Sequence, residues 1–192
     1  MEKTLTQKPS DCLKFVLFGP ESTGKTTLAK QLAAHYNTRW VPEYMREYLQ
    51  KKWDVSKKKC EREDLLPIAY GQMHWENELS EKTSDLLFCD TNLLELKVYS
   101  EYYYNGFCPS EIEEFALKNE YTHYFLTYID TKWVFDDLRD RPDDREKMFC
   151  IFENELTNQK LPFSILKGTQ EERFTNAVRL IDEKTRKRNN VI

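Results

Sequence analysis

Glycine is scarce in this chain, with only five in 192 residues, so each one marks a place where the backbone needs unusual freedom. Basic residues are not in excess: 29 Lys and Arg stand against 33 Asp and Glu, a net charge of −4. That excludes the broad basic footprint of a nucleic-acid-binding protein. No apolar run approaches the length of a membrane span. The opening stretch, residues 1–11, is polar, lacks the apolar core of a signal peptide and is expected to be a flexible lead. A cytosolic location is expected. The five cysteines are odd in number and scattered, without C-x-x-C or Cys/His ligand spacing. Free thiols and no structural metal are expected, with Cys12 and Cys89 acting as small core hydrophobes.

The glycines that are present carry the argument. Gly19 and Gly24 belong to Gly19-Pro20-Glu21-Ser22-Thr23-Gly24-Lys25-Thr26, which fits Gly-x-x-x-x-Gly-Lys-Ser/Thr, the P-loop. The apolar stretch 13–18 before it reads as a buried strand. The stretch 25–36 after it repeats Leu28, Leu32 and Tyr36 at helical spacing. Strand, glycine loop, helix is the context that the motif requires. Glycines let the backbone approach phosphate closely, and successive N–H groups at a helix N-terminus form an anion cradle. Gly19, Glu21, Ser22, Thr23, Gly24, Lys25, Thr26 and Thr27 are therefore the expected binding site for the phosphates of ATP. Lys25 is expected to reach the β- and γ-phosphates, and Thr26 to ligate Mg²⁺. Of the other glycines, Gly106 reads as a helix stop. Gly71 lies inside a helical pattern, where it costs about 1 kcal/mol relative to Ala, and implies that something passes close to that helix.

Further along, strands are expected at 38–42, 86–89, 121–129 and 163–167. Helices are expected from 43, and over 64–83, 92–104, 109–119, 148–156 and 169–183. The charged run 51–63 reads as a solvated loop, and 185–192 as a fraying tail. Strands alternating with helices predict a single three-layer α/β/α domain with a five-stranded parallel sheet. Ligands in such folds bind beyond the carboxyl ends of the strands. Asp90 stands there as a Walker-B-like acid for Mg²⁺, or as a helix N-cap. Glu43 stands there as a candidate base for a substrate hydroxyl, with Asp90 as the rival. Arg46 follows one turn later, placed to hold Glu43 ionised or to touch substrate. No histidine stands at a strand end to serve instead. The segment 131–147, dense in both charges, suits a small lid in which Arg139, Arg141 and Arg145 fold over the phosphates.

Taken together, Trp40-Val41-Pro42-Glu43-Tyr44-x-Arg46-Glu47-Tyr48, Ile68-Ala69-x-Gly71-Gln72, Asp90-Thr91-x-x-Leu94-x-x-Lys97-x-x-Ser100 and Trp133-Val134-x-Asp136-x-x-Arg139 resemble the nicotinamide riboside kinase domain of NadR-type proteins, a P-loop kinase family. The resemblance runs from about residue 13 to 175. It implies an ATP- and Mg²⁺-dependent kinase acting on the 5′-hydroxyl of nicotinamide riboside. It implies substrate contacts at Trp40, Glu43, Tyr44, Arg46, Gln72, Asp90 and Lys97, and an adenine site near Gly168, Thr169 and Arg173. The family tends to have Asp where Asn92 stands and Gly where Asp137 stands. Many members carry an N-terminal adenylyltransferase domain, for which the dozen residues before the first strand leave no room. Two other readings remain: a kinase of another nucleoside or small alcohol, and a nucleotide-binding regulatory module. A GTPase switch is disfavoured, because N-K-x-D and D-x-x-G are both missing.

Overall fold

Apolar strands can bury both faces of a sheet when helices cover each side, and the chain folds in this way. The computed structural model describes residues 4–83, 85–138 and 142–189. Strand β1 (Leu13–Phe18) leads into helix α1 (Lys25–His35), followed by β2 (Arg39–Val41), α2 (Tyr44–Ser56), α3 (Leu65–Glu81) and β3 (Leu86–Asp90). Then come α4 (Leu93–Tyr103), α5 (Ser110–Lys118), β4 (His123–Thr127), α6 (Arg145–Asn158), β5 (Phe163–Leu166) and α7 (Gln170–Asn189). The five strands form one sheet in the order β2-β3-β1-β4-β5, and every pairing is parallel.

Side chains alternate between the two faces of the central strands. Phe15, Leu17 and Phe88 pack with Leu28 and Leu32 of α1 and with Ala177 and Ile181 of α7. Val16, Phe18, Leu87 and Cys89 pack with α3, α4, α5 and α6. The ring of Phe18 takes the edges of Tyr124 and Phe152 at centroid distances of 5.5 and 4.8 Å, close-range geometry that aromatic pairs favour. All five cysteines are free, and Cys12 and Cys89 are buried in the core.

The glycine readings have local causes. A Cβ on Gly71 would lie 2.0 Å from the Tyr44 ring, so α2 can cross α3 only where the side chain is hydrogen. Gly106 (φ 83°) sends its N–H back to Glu101 O at 2.7 Å and closes α4.

Three expectations are corrected. The charged run is not simply a loop: α2 continues to Ser56. Lys52 Nζ then bridges Glu61 and Asp64 at 2.7 and 2.5 Å, and the Tyr48 hydroxyl donates to Asp64 at 3.0 Å. These charges satisfy one another, so the segment does not need solvent on every side. Residues 4–11 are held against α3 and the approach to β4. Leu5 is buried, and Gln7 Nε2 donates to Glu76 and to Glu120 O at 2.8 and 3.1 Å. The last helix runs on to Asn189, past the expected end at 183.

Candidate active site

The P-loop lies between β1 and α1, at the carboxyl end of the sheet. Gly19, Ser22 and Gly24 all have positive φ, at 130°, 59° and 85°. Gly19 passes so near β4 that a Cβ would meet Thr127 O and Oγ1 at 3.1 Å. Thr23 pins the turn: its hydroxyl donates to Pro20 O and meets the Thr127 hydroxyl, both at 2.7 Å. No side chain caps the N-terminus of α1, and no acid stands in its first turn. Its amides are open to the adjacent cavity, as an anion site requires.

Lys25 is buried and folds back on its own loop. Its Nζ donates to Gly19 O at 2.6 Å and Pro20 O at 3.0 Å. It also lies 3.2 Å from Glu95 Oε1, and the Gly19 N–H donates to Glu95 Oε2 at 3.2 Å. Glu95 is 2% exposed. Burial pushes its carboxyl up to about 8 against the opposing pull of Lys25. Sequence reading missed Glu95. Helix α4 is buried almost all round, and nothing local in the sequence sets Glu95 apart from its other acids.

Asp90 accepts from Thr26 Oγ1 at 2.5 Å. Its other oxygen, Oδ1, is buried without a hydrogen-bond partner among the described residues. Burial and the facing charge of Glu43 push the carboxyl up to about 6. The helix-cap reading of Asp90 does not hold, because Asn92 caps α4 by accepting the Glu95 N–H at 3.2 Å. The orphaned acceptor beside a hydroxyl fits a hard cation. No cluster of three His, Cys, Asp or Glu that would cage a metal exists among the described residues.

Glu43 sits just before α2 and makes no side-chain cap bond to it. Gln72 holds the chain on either side, accepting the Tyr44 N–H at 2.8 Å and donating to Pro42 O at 3.2 Å. Gln72 therefore bears on the site through the backbone of Glu43. Two hollows meet at Glu43. One, of about 320 Å³, is walled by Glu21 to Thr27, Glu43, Arg46, the apolar side chains Met45, Leu49, Leu65 and Leu96, and the rings of Tyr99, Tyr103 and Tyr104. The other, of about 440 Å³, shares Thr26, Glu43 and Arg46 and adds Trp40, Trp75 and Asp90.

Arg46 pairs with Asp136 at 2.8 Å and so joins α2 to the segment after β4. That segment also rests on the P-loop: Thr131 Oγ1 donates to Ser22 O at 2.7 Å, and Val134 N to Ser22 Oγ at 3.0 Å. Arg145 donates to Thr131 O and Ser22 O at 2.9 and 3.3 Å. Of the expected lid, Arg139 and Arg141 lie outside the described residues, and 145–147 belong to α6.

Tyr44, Lys97, Arg173, Gly168 and Thr169, all expected at the site, line neither hollow. The Tyr44 ring packs edge-on against Trp75 at 4.7 Å and lines neither hollow. Lys97 is buried between Glu101 and Glu155, at 3.0 and 3.1 Å, because a cation inside the helix layers needs counter-charges. Arg173 is a brace. Its guanidinium donates to Thr23 O at 2.6 Å, Tyr128 O at 2.9 Å and Gly168 O at 3.0 Å, and pairs with Asp130. That uses four of its five donors. Gly168 and Thr169 line neither hollow; they bond to Asp130 and Glu172 at 2.6 and 2.7 Å.

A five-stranded parallel sheet with a P-loop at its carboxyl edge and a strand-end acid on the P-loop threonine defines a P-loop nucleotide-binding domain of the kinase type. A model of the AAA domain family matches residues 14–173, and the chain belongs to that family. It is similar to the trifunctional NAD biosynthesis/regulator protein NadR of Salmonella typhimurium (strain LT2), 25% identical over 181 residues, 92% of this chain and 43% of that protein. The match to NadR of Escherichia coli (strain K12) is the same in identity and extent. The chain thus spans less than half the length of these curated relatives. Among solved structures, NadR in complex with NR matches with a TM-score of 0.75 at 20% identity, over 91% of this chain and 52% of that one. Thymidylate kinase from Ehrlichia chaffeensis matches with a TM-score of 0.64 at 14% identity, over 90% of this chain and all of that one. These likenesses bear out the P-loop kinase fold and the resemblance to NadR. Among the described residues no helix is long and apolar enough to cross a membrane.

Proposed function

We propose that this chain is an ATP- and Mg²⁺-dependent kinase that phosphorylates the 5′-hydroxyl of a nucleoside, nicotinamide riboside first among them. The observation that carries the reading is the meeting of the P-loop, the Thr26–Asp90 pair and Glu43 at two adjoining hollows. One hollow suits phosphates, and the other offers Trp40 and Trp75 to a flat heterocycle. The relatives add support, since NadR has been crystallised with NR and with NAD and AMP-PNP.

In this reading the loop amides and Lys25 bind the β- and γ-phosphates. Thr26 and Asp90 hold Mg²⁺, directly or through water. When bound, the ion would neutralise charge on the phosphates. Glu43 accepts the proton of the attacking hydroxyl at its carboxylate, with Asp90 as the alternative base. Arg46, at the edge of both hollows, touches substrate or holds Glu43 ionised, and Arg145 pins Thr131 against the P-loop.

The test is a product assay with ATP, Mg²⁺ and a panel of nucleosides that includes nicotinamide riboside, with Lys25→Ala as control. Nicotinamide mononucleotide from the wild type and none from the variant is expected. Phosphorylation of a different nucleoside alone would move the substrate and keep the reaction. ATP binding with no acceptor phosphorylated would favour the regulatory module.

A further inference from the structure

The P-loop lysine folds back on its own loop and on Glu95. An ammonium has three donors. Two of those of Lys25 go to Gly19 O and Pro20 O, and its charge lies 3.2 Å from Glu95 Oε1 as an ion pair without hydrogen-bond geometry. An incoming phosphate competes with Glu95 for the charge of the same ammonium. Glu95 is itself held in place: its backbone N–H is bound by the Asn92 cap, and its Oε2 takes the first amide of the loop. It thus contacts both the lysine and the amide that begins the phosphate cradle, without lining the larger ligand hollows.

We propose that Glu95 is a positioning residue that parks Lys25 in the free protein and yields it to the incoming phosphate, taking a proton from solvent as the lysine leaves. This rests on the nucleotide reading above. Above about pH 8, where the carboxyl is ionised before binding, the pair is carboxylate and ammonium. Afterwards the ammonium faces phosphate, and the carboxyl is neutral with the proton on an Oε atom. The groups facing Glu95 favour this outcome. Glu43 before α2 and Asp90 at the end of β3 both disfavour its charge, while Lys25 on α1 and the Gly19 N–H favour it. Tyr99 on α4 is also close, its hydroxyl pushed up by burial first and then by the charge on Glu95. With Lys25 beside it, the carboxyl already sits at about 8. Moving the cation away and bringing phosphate near both raise it further.

The experiment titrates wild type and Glu95→Gln with AMP-PNP and Mg²⁺ by calorimetry, at several pH values and in buffers of different ionisation enthalpy. Glutamine keeps the volume and an acceptor for the Gly19 N–H while removing the charge. At pH 8.5 the wild type should take up well over half a proton more per nucleotide than the variant. Wild-type affinity should fall roughly five- to tenfold between pH 7.5 and 9, because binding consumes a proton, and the variant should stay nearly flat. Equal proton counts and parallel pH profiles would overturn the role of Glu95 and leave the nucleotide reading standing. No AMP-PNP binding to the wild type would overturn both. Should Glu95→Gln not fold, the wild-type count decides alone: no uptake at pH 8.5 refutes the exchange.

Discussion

Gln72 grips the main chain on both sides of Glu43: its Oε1 accepts the Tyr44 N–H at 2.8 Å and its Nε2 donates to Pro42 O at 3.2 Å. A single buried amide on α3 thereby fixes the strand-to-helix corner that presents the candidate base.

Gln72→Ala should lower kcat about tenfold to a hundredfold, the scale expected when a reacting group drifts by about 1 Å, and leave nucleotide affinity nearly unchanged. The P-loop does not lean on Gln72, so the two effects separate. Steady-state kinetics and AMP-PNP titration check this. An equal loss in both would place Gln72 in global stability instead.

Glu43→Gln keeps the shape and removes the charge. Phosphoryl transfer depends mostly on positioning and electrostatics, so loss of a base should cost about 10²–10⁴-fold in kcat, with ATP binding little changed. A rise in nucleoside KM alone would make Glu43 a substrate-positioning group and move the base to Asp90.

Gly71→Ala should destabilise the protein by about 1–3 kcal/mol, as overpacking does, despite the higher helix propensity of Ala. The added methyl would stand 2.0 Å from the Tyr44 ring, which is backed by Trp75 at 4.7 Å. In a Tyr44→Ala background the same substitution should be neutral or stabilising. Denaturant unfolding of the four proteins of this cycle measures the coupling; additive effects would mean that the close approach carries no cost.

Those residues also show what the sequence made readable. Gly71 in a helical pattern forecast a close crossing, and the P-loop with its flanks forecast a strand, a cradle and a helix, because these depend on local backbone rules. The parallel sheet followed from alternation, but its strand order, β2-β3-β1-β4-β5, did not. Side-chain partners over long separations did not follow. Lys97 matched a substrate-binding pattern, yet it is consumed by Glu101 and Glu155, and Glu155 lies far along the chain. Glu95 drew no notice as one acid among many on a helix. Its meaning comes from burial against the P-loop, and no local pattern encodes that. Lys51 to Glu63 looked solvated because its charges were read singly, and Lys52, Glu61 and Asp64 pair with one another.

The pair of Thr26 and Asp90 sets stability against function. Asp90 is 1% exposed, its Oδ1 has no hydrogen-bond partner among the described residues, and Glu43 opposes its charge. Its carboxyl is raised to about 6, above the ordinary aspartate value. The sign follows: between about pH 4 and 6 the folded state holds a proton that the unfolded state has lost, so stability falls as pH rises through that window. At neutral pH the charge is a net cost to the free protein. Asp90→Asn removes it, and the amide oxygen can still accept from Thr26. The variant should therefore melt a few degrees higher than wild type in the absence of Mg²⁺ at neutral pH, a gain of roughly 1–3 kcal/mol. Its activity should collapse, because a neutral amide is a poor partner for a hard cation or its waters. Added Mg²⁺ and nucleotide should stabilise the wild type more than the variant. Thermal melts with and without Mg²⁺, beside activity against Mg²⁺ concentration, test both halves. A variant less stable than wild type and unchanged in its Mg²⁺ dependence would reduce Asp90 to a structural acceptor for the Thr26 hydroxyl.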